Sequence, residues 1–375
     1  MSAQERIYTK SEKFGLNRRE FMRLLGTAGV SAGLATAASA CATNSQPAPA
    51  AATQAAAPAA PTAAQQAAPA AQAGNKWASS IKIRFFAGGD AGDAFASIVY
   101  KGAQAVTADI GAAVEYVFSG WQPEKMTSQL RDAIAAKPDG IAMMGHAGDD
   151  AIMPLAEAAS KAGILMMYQN VDVPKVRAKF GGGYVGSDLT PQGRALGAEA
   201  IRQLGLKKGD KAIVFGAWDQ PGRYLREEGT AKYLEEQGLV VNRITGKPEW
   251  ASDPNLLIPS LSAAVLKDPE TKMVVYSGGQ QLGAVPAYMD AIKKKAGEII
   301  NIGFDTSPAV IDGFKKGFVQ LTSDQQPFLQ GYMPILNLAL SKMYGLGALN
   351  IDTGAGFVDA KNYQSVADWA TKGYR

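Results

Sequence analysis

The chain has 375 residues, of which 47% are hydrophobic and 19% are charged, a composition that excludes disorder along the whole length. That length suits two domains better than one. The formal net charge is +4, but residues 1–40 carry six basic and three acidic side chains, so the remaining body has a net charge of +1. A body this close to neutral lacks the basic field that nucleic acid binding requires, and we expect no nucleic-acid partner.

Cysteine and histidine each occur once, as Cys41 and His146. An intramolecular disulfide and a zinc site built from Cys and His ligands are therefore excluded. His146 lies between Gly145 and the run Gly148-Asp149-Asp150, and we interpret it as a loop residue. The sequence predicts neither a metal nor a cofactor.

The first 40 residues have the three parts of an export signal. A basic segment containing Arg18 and Arg19 precedes an uncharged, Ala/Gly-rich stretch from Leu24 to Ala40 that ends in small residues. This order is typical of a secretory signal, and the paired arginines resemble a twin-arginine signal. The apolar stretch is short compared with the ~20 apolar residues that a membrane-spanning helix needs. A retained anchor helix is the alternative.

The residues around Cys41 resemble a bacterial lipoprotein cleavage site, at which the cysteine is acylated and becomes the new N-terminus. Ala38-Ser39-Ala40 also fits an ordinary signal cleavage, and Ala38 stands where the lipoprotein motif usually has Leu. The next 33 residues, Ala42–Gly74, contain 17 Ala, five Pro and five Gln and no charge. That composition predicts a semi-extended tether, so that residues 41–76 would hold the lipid and the spacer. The tether favours a protein that is lipid-anchored through Cys41 in the periplasm or at the cell surface.

From Trp77 onward, short apolar segments alternate with helical patterns. The first pair is a strand at Ile81–Phe86 and, after a glycine-rich turn, a helix at Phe95–Ile110 whose apolar residues share one face. The alternation continues to a long helix at Pro327–Tyr344. Buried strands that alternate with helices indicate parallel sheets covered on both faces. The units exceed what one sheet ordinarily holds, so we predict two doubly wound α/β domains.

In parallel sheets the residues directly after each strand line the ligand crevice. Here they are rich in amides, carboxylates and tryptophan. They are Asp90, Asp93, Trp121, His146–Asp150, Gln169, Asn170, Trp218–Gln220, Trp250, Gly278–Gln281, Asp305, Gln325 and Gln326. Such groups suit a neutral polyhydroxyl ligand, whose hydroxyls donate and accept hydrogen bonds and whose C–H faces pack on aromatic rings.

The segment Ile302–Tyr332 carries a family resemblance. Its Gly303-Phe304-Asp305 turn is followed by Asp324-Gln325-Gln326-Pro327, and in this it resembles the ribose-type periplasmic sugar-binding proteins of ABC transporters. The resemblance covers Ile81 to the C-terminus. It implies the type I periplasmic binding protein fold, in which two α/β lobes joined by three chain crossings enclose a sugar.

The resemblance also implies the boundaries and the role of the protein. We expect lobe one at 77–186 plus 327–349 and lobe two at 188–325 plus 350–375. The expected function is that of an exported monomer, not an enzyme, which binds a sugar or polyol and delivers it to the permease of an ABC importer. Its expected location is the membrane surface, to which the N-terminal lipid would attach it.

Ligand-binding residues follow from the same resemblance, position by position. Arg226 matches an Arg-x-x-Gly motif that supplies a guanidinium to the sugar, whereas Val171 and Gly279 stand where ribose binders have Arg and Asn. A sugar or polyol other than ribose, stacked on Trp218 or Trp121, is therefore favoured. The residues expected to bind it are Asp93, Phe95, Asn170, Trp218, Arg226, Gln280, Asp305 and Gln325. Each also has an ordinary structural interpretation, as a core, cap, turn or surface residue.

Other functions have weaker signals. The run Gly181–Gly186 satisfies G-x-G-x-x-G, but the preceding Lys175–Lys179 is charged and loop-like instead of a strand, which argues against a dinucleotide site. An exported glycoside-processing enzyme would need paired carboxylates, for which Asp149 with Asp150 or Asp90 with Asp93 are candidates. A sugar sensor that docks a receptor instead of a permease is the remaining alternative.

Overall fold

The computed structural model describes residues 76–220, 222–354 and 356–375. The predicted export signal, Cys41 and the tether at 42–74 lie outside these described residues. Within them, no helix combines the length and the apolar character needed to cross a bilayer.

Strands and helices alternate along the described chain, as predicted. The strands are β1 (Lys82–Gly88), β2 (Ala113–Phe118), β3 (Gly140–Met144), β4 (Leu165–Gln169), β5 (Gly183–Gly186), β6 (Lys211–Gly216), β7 (Val240–Thr245), β8 (Thr271–Tyr276), β9 (Ile300–Phe304), β10 (Leu321–Asp324), β11 (Asn350–Asp352) and β12 (Gly356–Asp359). The helices are α1 (Ala94–Ile110), α2 (Pro123–Ala135), α3 (Gly148–Lys161), α4 (Pro174–Phe180), α5 (Leu189–Leu204), α6 (Leu225–Glu236), α7 (Glu249–Ser252), α8 (Ile258–Lys267), α9 (Gly279–Gly283), α10 (Val285–Ala291), α11 (Pro308–Lys315), α12 (Pro327–Tyr344) and α13 (Gln364–Thr371), with a 3₁₀ turn at Pro254–Leu257.

Among the described residues the strands form two six-stranded sheets. The first has the order β11-β5-β4-β3-β1-β2 and only parallel pairs. The second has the order β12-β10-β9-β8-β6-β7 and is parallel except where β12 runs antiparallel to β10. Each sheet with its helices is one lobe, and the prediction of two doubly wound α/β lobes is confirmed.

Each sheet has a hydrophobic core on both faces, because successive side chains of a strand point to opposite sides. In β1, Phe85 packs into one cluster and Phe86 into the other. In β6, Val214 and Phe215 are divided in the same way between the two clusters of the second sheet. Burial on both faces explains why the strands read as continuous apolar runs.

Three chain crossings join the lobes, and they follow β5, β10 and β11. The sequence placed the third crossing directly after Leu349. That boundary moves by three residues, because β11 pairs with β5, with Asn350 opposite Tyr184. A strand as short as Asn-Ile-Asp has no apolar alternation that sequence analysis can detect.

The segment that we interpreted as loop-like, Lys175–Lys179, is in fact helical and forms most of α4. Pro174 begins this helix, where a preset φ is favourable and the missing N–H leaves no bond unmade. Only Val176 is buried in it, so the apolar periodicity is too weak to signal a helix. The glycine-rich run after it enters β5 and does not join a strand to a helix.

Candidate functional site

A cleft of about 670 Å³, including its opening to solvent, lies between the strand ends of the two lobes. Lobe one lines it with Phe95, Trp121, His146 and Asn170, and lobe two lines it with Ala217, Gln220, Arg223, Arg226, Gly246, Lys247, Pro248, Ala251, Ser277, Gly278, Gln280, Gln281 and Asp305. Gln325, in the second crossing, completes the lining.

Most of the residues expected to bind a ligand line this cleft. They are Phe95, Asn170, Arg226, Gln280, Asp305 and Gln325. Trp218 is not among the lining residues, because its indole N–H donates to the carbonyl of Ile244 at 3.0 Å and its ring lies under the guanidinium of Arg243 at 5.6 Å. The indole that faces the cleft belongs to Trp121, the other tryptophan considered from the sequence.

Trp121 is held in a fixed orientation after β2. Its backbone has φ +60° and its N–H donates to the carbonyl of Gly88 at 3.1 Å. The indole lies so close to the first strand that a Cβ at Gly88 or Gly89 would come within 2.5 Å of a ring atom. The two glycines therefore make room for the ring, which forms an aromatic wall.

Asp93 lies behind this wall and connects the two lobes. Its Oδ1 accepts the backbone N–H groups of Phe95 at 2.9 Å and Ala96 at 2.7 Å, capping α1. Its Oδ2 accepts the indole N–H of Trp121 and, from lobe two, the amide of Gln280, both at 2.7 Å. Burial raises the pKa of Asp93, and these four hydrogen bonds oppose the increase. With four donors already bound, Asp93 is not among the residues that line this cleft, and it instead fixes the Trp121 ring and links it to Gln280 of lobe two.

Hydrogen bonds between side chains run across the second crossing and join three of the expected residues. The amide of Asn170 donates to Oε1 of Gln325 at 3.3 Å, and the amide of Gln325 donates to Oδ1 of Asp305 at 2.6 Å. Gln330 accepts a second bond from Asn170 at 3.1 Å and donates to the hydroxyl of Thr353 beside the third crossing. The network extends from lobe one through the hinge to lobe two.

Two members of that network have left-handed backbone conformations. Asn170 after β4 has φ +64° and Asp305 after β9 has φ +71°. Non-glycine residues adopt this region at a cost in conformational energy, and among them Asn and Asp adopt it most readily. The turn of Asp305 is held by its N–H, which donates to the carbonyl of Ser323 at 2.8 Å, and by Thr322, whose hydroxyl donates to its carbonyl at 2.8 Å. The chain thus turns sharply at the ends of these strands, where the cleft begins.

Lobe two presents two guanidinium groups that share one buried carboxylate. Nη1 of Arg223 and Nε of Arg226 lie 3.0 Å and 3.1 Å from Oε1 of Glu227, which is fully buried. Arg226 also donates to the carbonyl of Ser277. Burial raises the pKa of Asp305, and the positive charge of Arg226 opposes that increase. The result is a polar wall with charges of both signs.

The packing of α5 on α6 fixes Arg226 in this wall. A Cβ at Gly193 would lie 1.7 Å from the carbonyl oxygen of Arg226, and one at Gly229 would lie 2.5 Å from that of Thr190. Only glycine at both positions lets the helices approach this closely. The guanidinium of Arg226 then lies 4.4 Å from the ring centroid of Phe304.

Sequence analysis did not include His146, Arg223 or Gln281 among the ligand-binding residues, although it placed His146 and Gln281 among the residues that follow strands and line the crevice. His146 lies in the turn between β3 and α3, as expected, but it is only 3% exposed and lines the cleft. Its ring lies 5.2 Å from that of Trp121. Burial and the guanidinium groups of Arg223 and Arg226 hold its pKa well below the usual value. The position of His146 and Gln281 after strands was the available signal, whereas Arg223 precedes a helix and gave none.

The chain is similar to known proteins over most of its described length. The model of a periplasmic binding protein domain matches residues 85–341. The xylose/arabinose-binding protein XylF of Sulfolobus acidocaldarius is 26% identical over 268 residues, which are 66% of this chain and 64% of that protein. The chain therefore matches less than two thirds of the length of this relative.

Solved structures show the same two-lobed fold. A carbohydrate transporter from Acidothermus cellulolyticus 11B, in complex with myo-inositol, aligns with a TM-score of 0.69 at 25% identity over 79% of this chain and 99% of that one. A solute-binding protein of an ABC transporter from Burkholderia graminis C4D1M, in complex with D-arabinose, aligns with a TM-score of 0.68 at 22% identity over 77% and 99% of the two chains. The second likeness concerns the fold alone.

Proposed function

Because this chain belongs to the periplasmic binding protein family, we propose that it captures a sugar or polyol between its lobes outside the cytoplasm and delivers it to an ABC importer. The observation that carries the proposal is the composition of the cleft. An aromatic wall on lobe one faces a wall of guanidinium, carboxylate and amide groups on lobe two. These are the two kinds of surface that a sugar ring requires.

The chemistry of the walls favours a neutral, hydroxyl-rich ligand. The ring of Trp121 offers a face for C–H groups, and the Asp305 carboxylate offers an acceptor for hydroxyls. Bonds from hydroxyls to a carboxylate are charge-assisted and therefore stronger than neutral ones. The pentoses in the name of the archaeal relative and the myo-inositol complex of the solved structure support this class of ligand.

Closure of the lobes is the step that traps the ligand. Phe95, Trp121 and Asn170 belong to lobe one, whereas Arg226 and Asp305 belong to lobe two, so a ligand touches both sets only when the lobes are closed. A ligand shifts this equilibrium by the difference between its affinities for the closed and open states. A contact confined to one lobe should give weak binding without closure.

The test is calorimetry on the purified protein with myo-inositol, D-xylose, L-arabinose, D-arabinose and D-galactose, combined with small-angle scattering. We expect at least one of these to bind, no product to form, and the radius of gyration to fall on saturation. Arg226→Ala should bind more weakly and contract less at saturation. Arg202→Ala, which removes an exposed ion pair with Glu199, is the matched control. Absence of binding to the whole panel contradicts the sugar proposal, and an unchanged radius of gyration in the wild type contradicts the trap.

We further propose that export and lipid attachment at Cys41 hold the protein at the membrane. The support is the signal-like sequence before Cys41 and the uncharged Ala/Pro/Gln-rich segment after it. Several acyl chains on one cysteine anchor a protein stably, whereas a single chain binds reversibly. Cys41→Ser should therefore move the protein from the membrane fraction to the soluble fraction. A wild-type protein that is already soluble would indicate ordinary signal cleavage.

A further inference from the structure

Two buried polar atoms on opposite walls of the cleft have no hydrogen-bond partner among the described residues. They are Nδ1 of His146 on lobe one and Oε1 of Gln281 on lobe two. The two residues are 3% and 8% exposed, and both line the cleft. Buried polar groups in folded proteins are paired in the great majority of cases, so an unpaired one at a cleft indicates a group that a ligand completes.

The surroundings of His146 determine which form of the imidazole a ligand meets. The ring is tilted by 46° against Trp121. Arg223 and Arg226 line the cleft with it, and both positive charges disfavour the imidazolium. A neutral imidazole has one donor nitrogen and one acceptor nitrogen, so Nδ1 has one of these two roles.

We propose that His146 and Gln281 are specificity-determining residues, each of which binds a hydroxyl of the ligand, from lobe one and from lobe two respectively. The inference rests on the proposed function and extends it. A hydroxyl satisfies Nδ1 in either tautomer, because it both donates and accepts, and it can also donate to Oε1 of Gln281. A carboxylate only accepts and would leave Oε1 of Gln281 unpaired. The ligand is thus a neutral polyol with free hydroxyls directed to both lobes.

The test compares variants that keep shape with variants that restore polarity. The probe is whichever of myo-inositol, D-xylose, L-arabinose, D-arabinose and D-galactose binds the wild type most tightly. His146→Phe keeps a ring against Trp121 but removes both nitrogens, and Gln281→Met keeps the length of the side chain but removes its amide. We expect each to raise Kd about tenfold, which corresponds to ~1.4 kcal/mol. His146→Asn places a polar atom near the position of Nδ1 and should bind at least threefold more tightly than His146→Phe.

Tyr168→Phe is the matched control. The hydroxyl of Tyr168 is also buried and unpartnered among the described residues, but the side chain packs in the core of lobe one, away from the cleft. We expect Tyr168→Phe to leave Kd unchanged. His146→Phe without ligand should melt at or above the wild-type temperature, because the unpaired atom is gone.

The outcomes separate this inference from the proposed function. If the wild type binds a probe and His146→Phe binds it within threefold, the inference is overturned and the sugar-binding function stands. If His146→Phe and His146→Asn weaken binding equally and both melt lower than the wild type, the role of His146 is structural and the inference is again overturned. If the wild type binds no member of the panel, the proposed function fails and the inference fails with it.

Discussion

The two walls of the cleft come from lobes with the same core topology, yet they differ in chemistry. In lobe one, Phe95, Trp121 and His146 place three rings side by side, with centroids 5.8 Å and 5.2 Å from that of Trp121. In lobe two, Arg226 and Asp305 place charges among amides. Repetition of a fold therefore does not repeat a binding surface. We infer that lobe one supplies mainly an aromatic surface and that lobe two supplies mainly charged hydrogen-bonding groups.

The walls are also held in place by different forces. Packing fixes the lobe one wall, since the Trp121 ring fills the space above Gly88 and Gly89. Hydrogen bonds and ion pairs fix the lobe two wall, because Glu227 pairs with Arg226 and the amide of Gln325 donates to the carboxylate of Asp305. Removal of a ring leaves space that water or ligand can fill, whereas removal of a charge leaves a buried partner unpaired. Removal of a charged group from the lobe two wall should accordingly weaken ligand binding more than removal of a ring from the lobe one wall.

The largest effect is expected for Asp305. Asp305→Asn keeps the left-handed backbone, which Asn tolerates, and keeps an acceptor for Gln325, but it removes the charge. A hydrogen bond to a charged group contributes ~1.5–3 kcal/mol, so weakening two of them should raise Kd by roughly a hundredfold. Calorimetry with the tightest-binding sugar measures this. Asp312→Asn, which removes an exposed pair with Lys316, is the control, and a Kd within threefold of wild type for Asp305→Asn would contradict the assignment.

A smaller loss is expected for the aromatic wall. Trp121→Ala removes the ring on which a sugar face would lie, and we expect Kd to rise about tenfold, since aromatic contacts contribute ~0.5–1.5 kcal/mol beyond the area that they bury. Trp218→Ala is the matched control, because its indole is bound to Ile244 outside the cleft. If the two substitutions raise Kd equally, the loss of affinity results from a general disturbance of the fold and not from the loss of the aromatic wall.

The contacts that join the walls should have a smaller effect still. Gln280→Met removes the bond to Asp93 at 2.7 Å, and Ser252→Ala removes the 3.2 Å bond to Asp90. Water replaces part of either bond in the open form, so we expect Gln280→Met to raise Kd by roughly threefold to tenfold and Ser252→Ala by less. Small-angle scattering without ligand should show Gln280→Met to be more open than wild type. If neither substitution changes the radius of gyration or Kd, the cross-cleft bonds do not stabilise closure.

The smallest effect concerns the pH dependence of stability. Histidine in the unfolded chain takes up a proton below a pH of ~6.5, whereas the folded protein holds the pKa of His146 well below that value. The unfolded state therefore binds more protons as the pH falls, and stability decreases by at most ~1.4 kcal/mol per pH unit in this range. His146→Phe should lose less stability than wild type between about pH 6.5 and pH 5.5. Melting temperatures compare the two proteins, and parallel curves would contradict a buried, neutral His146.

The sequence was sufficient for the lobes and for six residues of the cleft lining, which come from both lobes. The alternation of apolar segments predicted both sheets, and the spacing from Asp305 to Gln325 predicted two residues that prove to be hydrogen-bonded to each other. The sequence could not determine which of Trp121 and Trp218 faces the cleft. Both follow strands, and the direction of the Trp121 ring depends on a gap over Gly88 and Gly89, far away in the chain. Non-local packing of this kind leaves no local pattern.

The burial of His146 escaped sequence analysis for a related reason. A histidine among glycine and aspartate is most often an exposed loop residue, and local composition gives no sign of the wall that Trp121 and the second lobe build over it. Arg223 was missed because it precedes α6, where a basic residue ordinarily faces solvent. For His146 the guanidinium groups of the second lobe complete the environment, whereas Arg223 contacts Glu227 and Ser277 of its own lobe. In both cases the contacts are non-local, and the strand and helix pattern carries no record of them.

The carboxylate of Asp93 accepts a hydrogen bond that joins the two lobes without the participation of a ligand. If a ligand is enclosed as proposed, opening of the lobes requires that Gln280 release Oδ2 of Asp93 and that Ser252 release Asp90. Both bonds join protein groups to each other, so they would slow the release of any enclosed molecule alike, while the choice among sugars would depend on the walls.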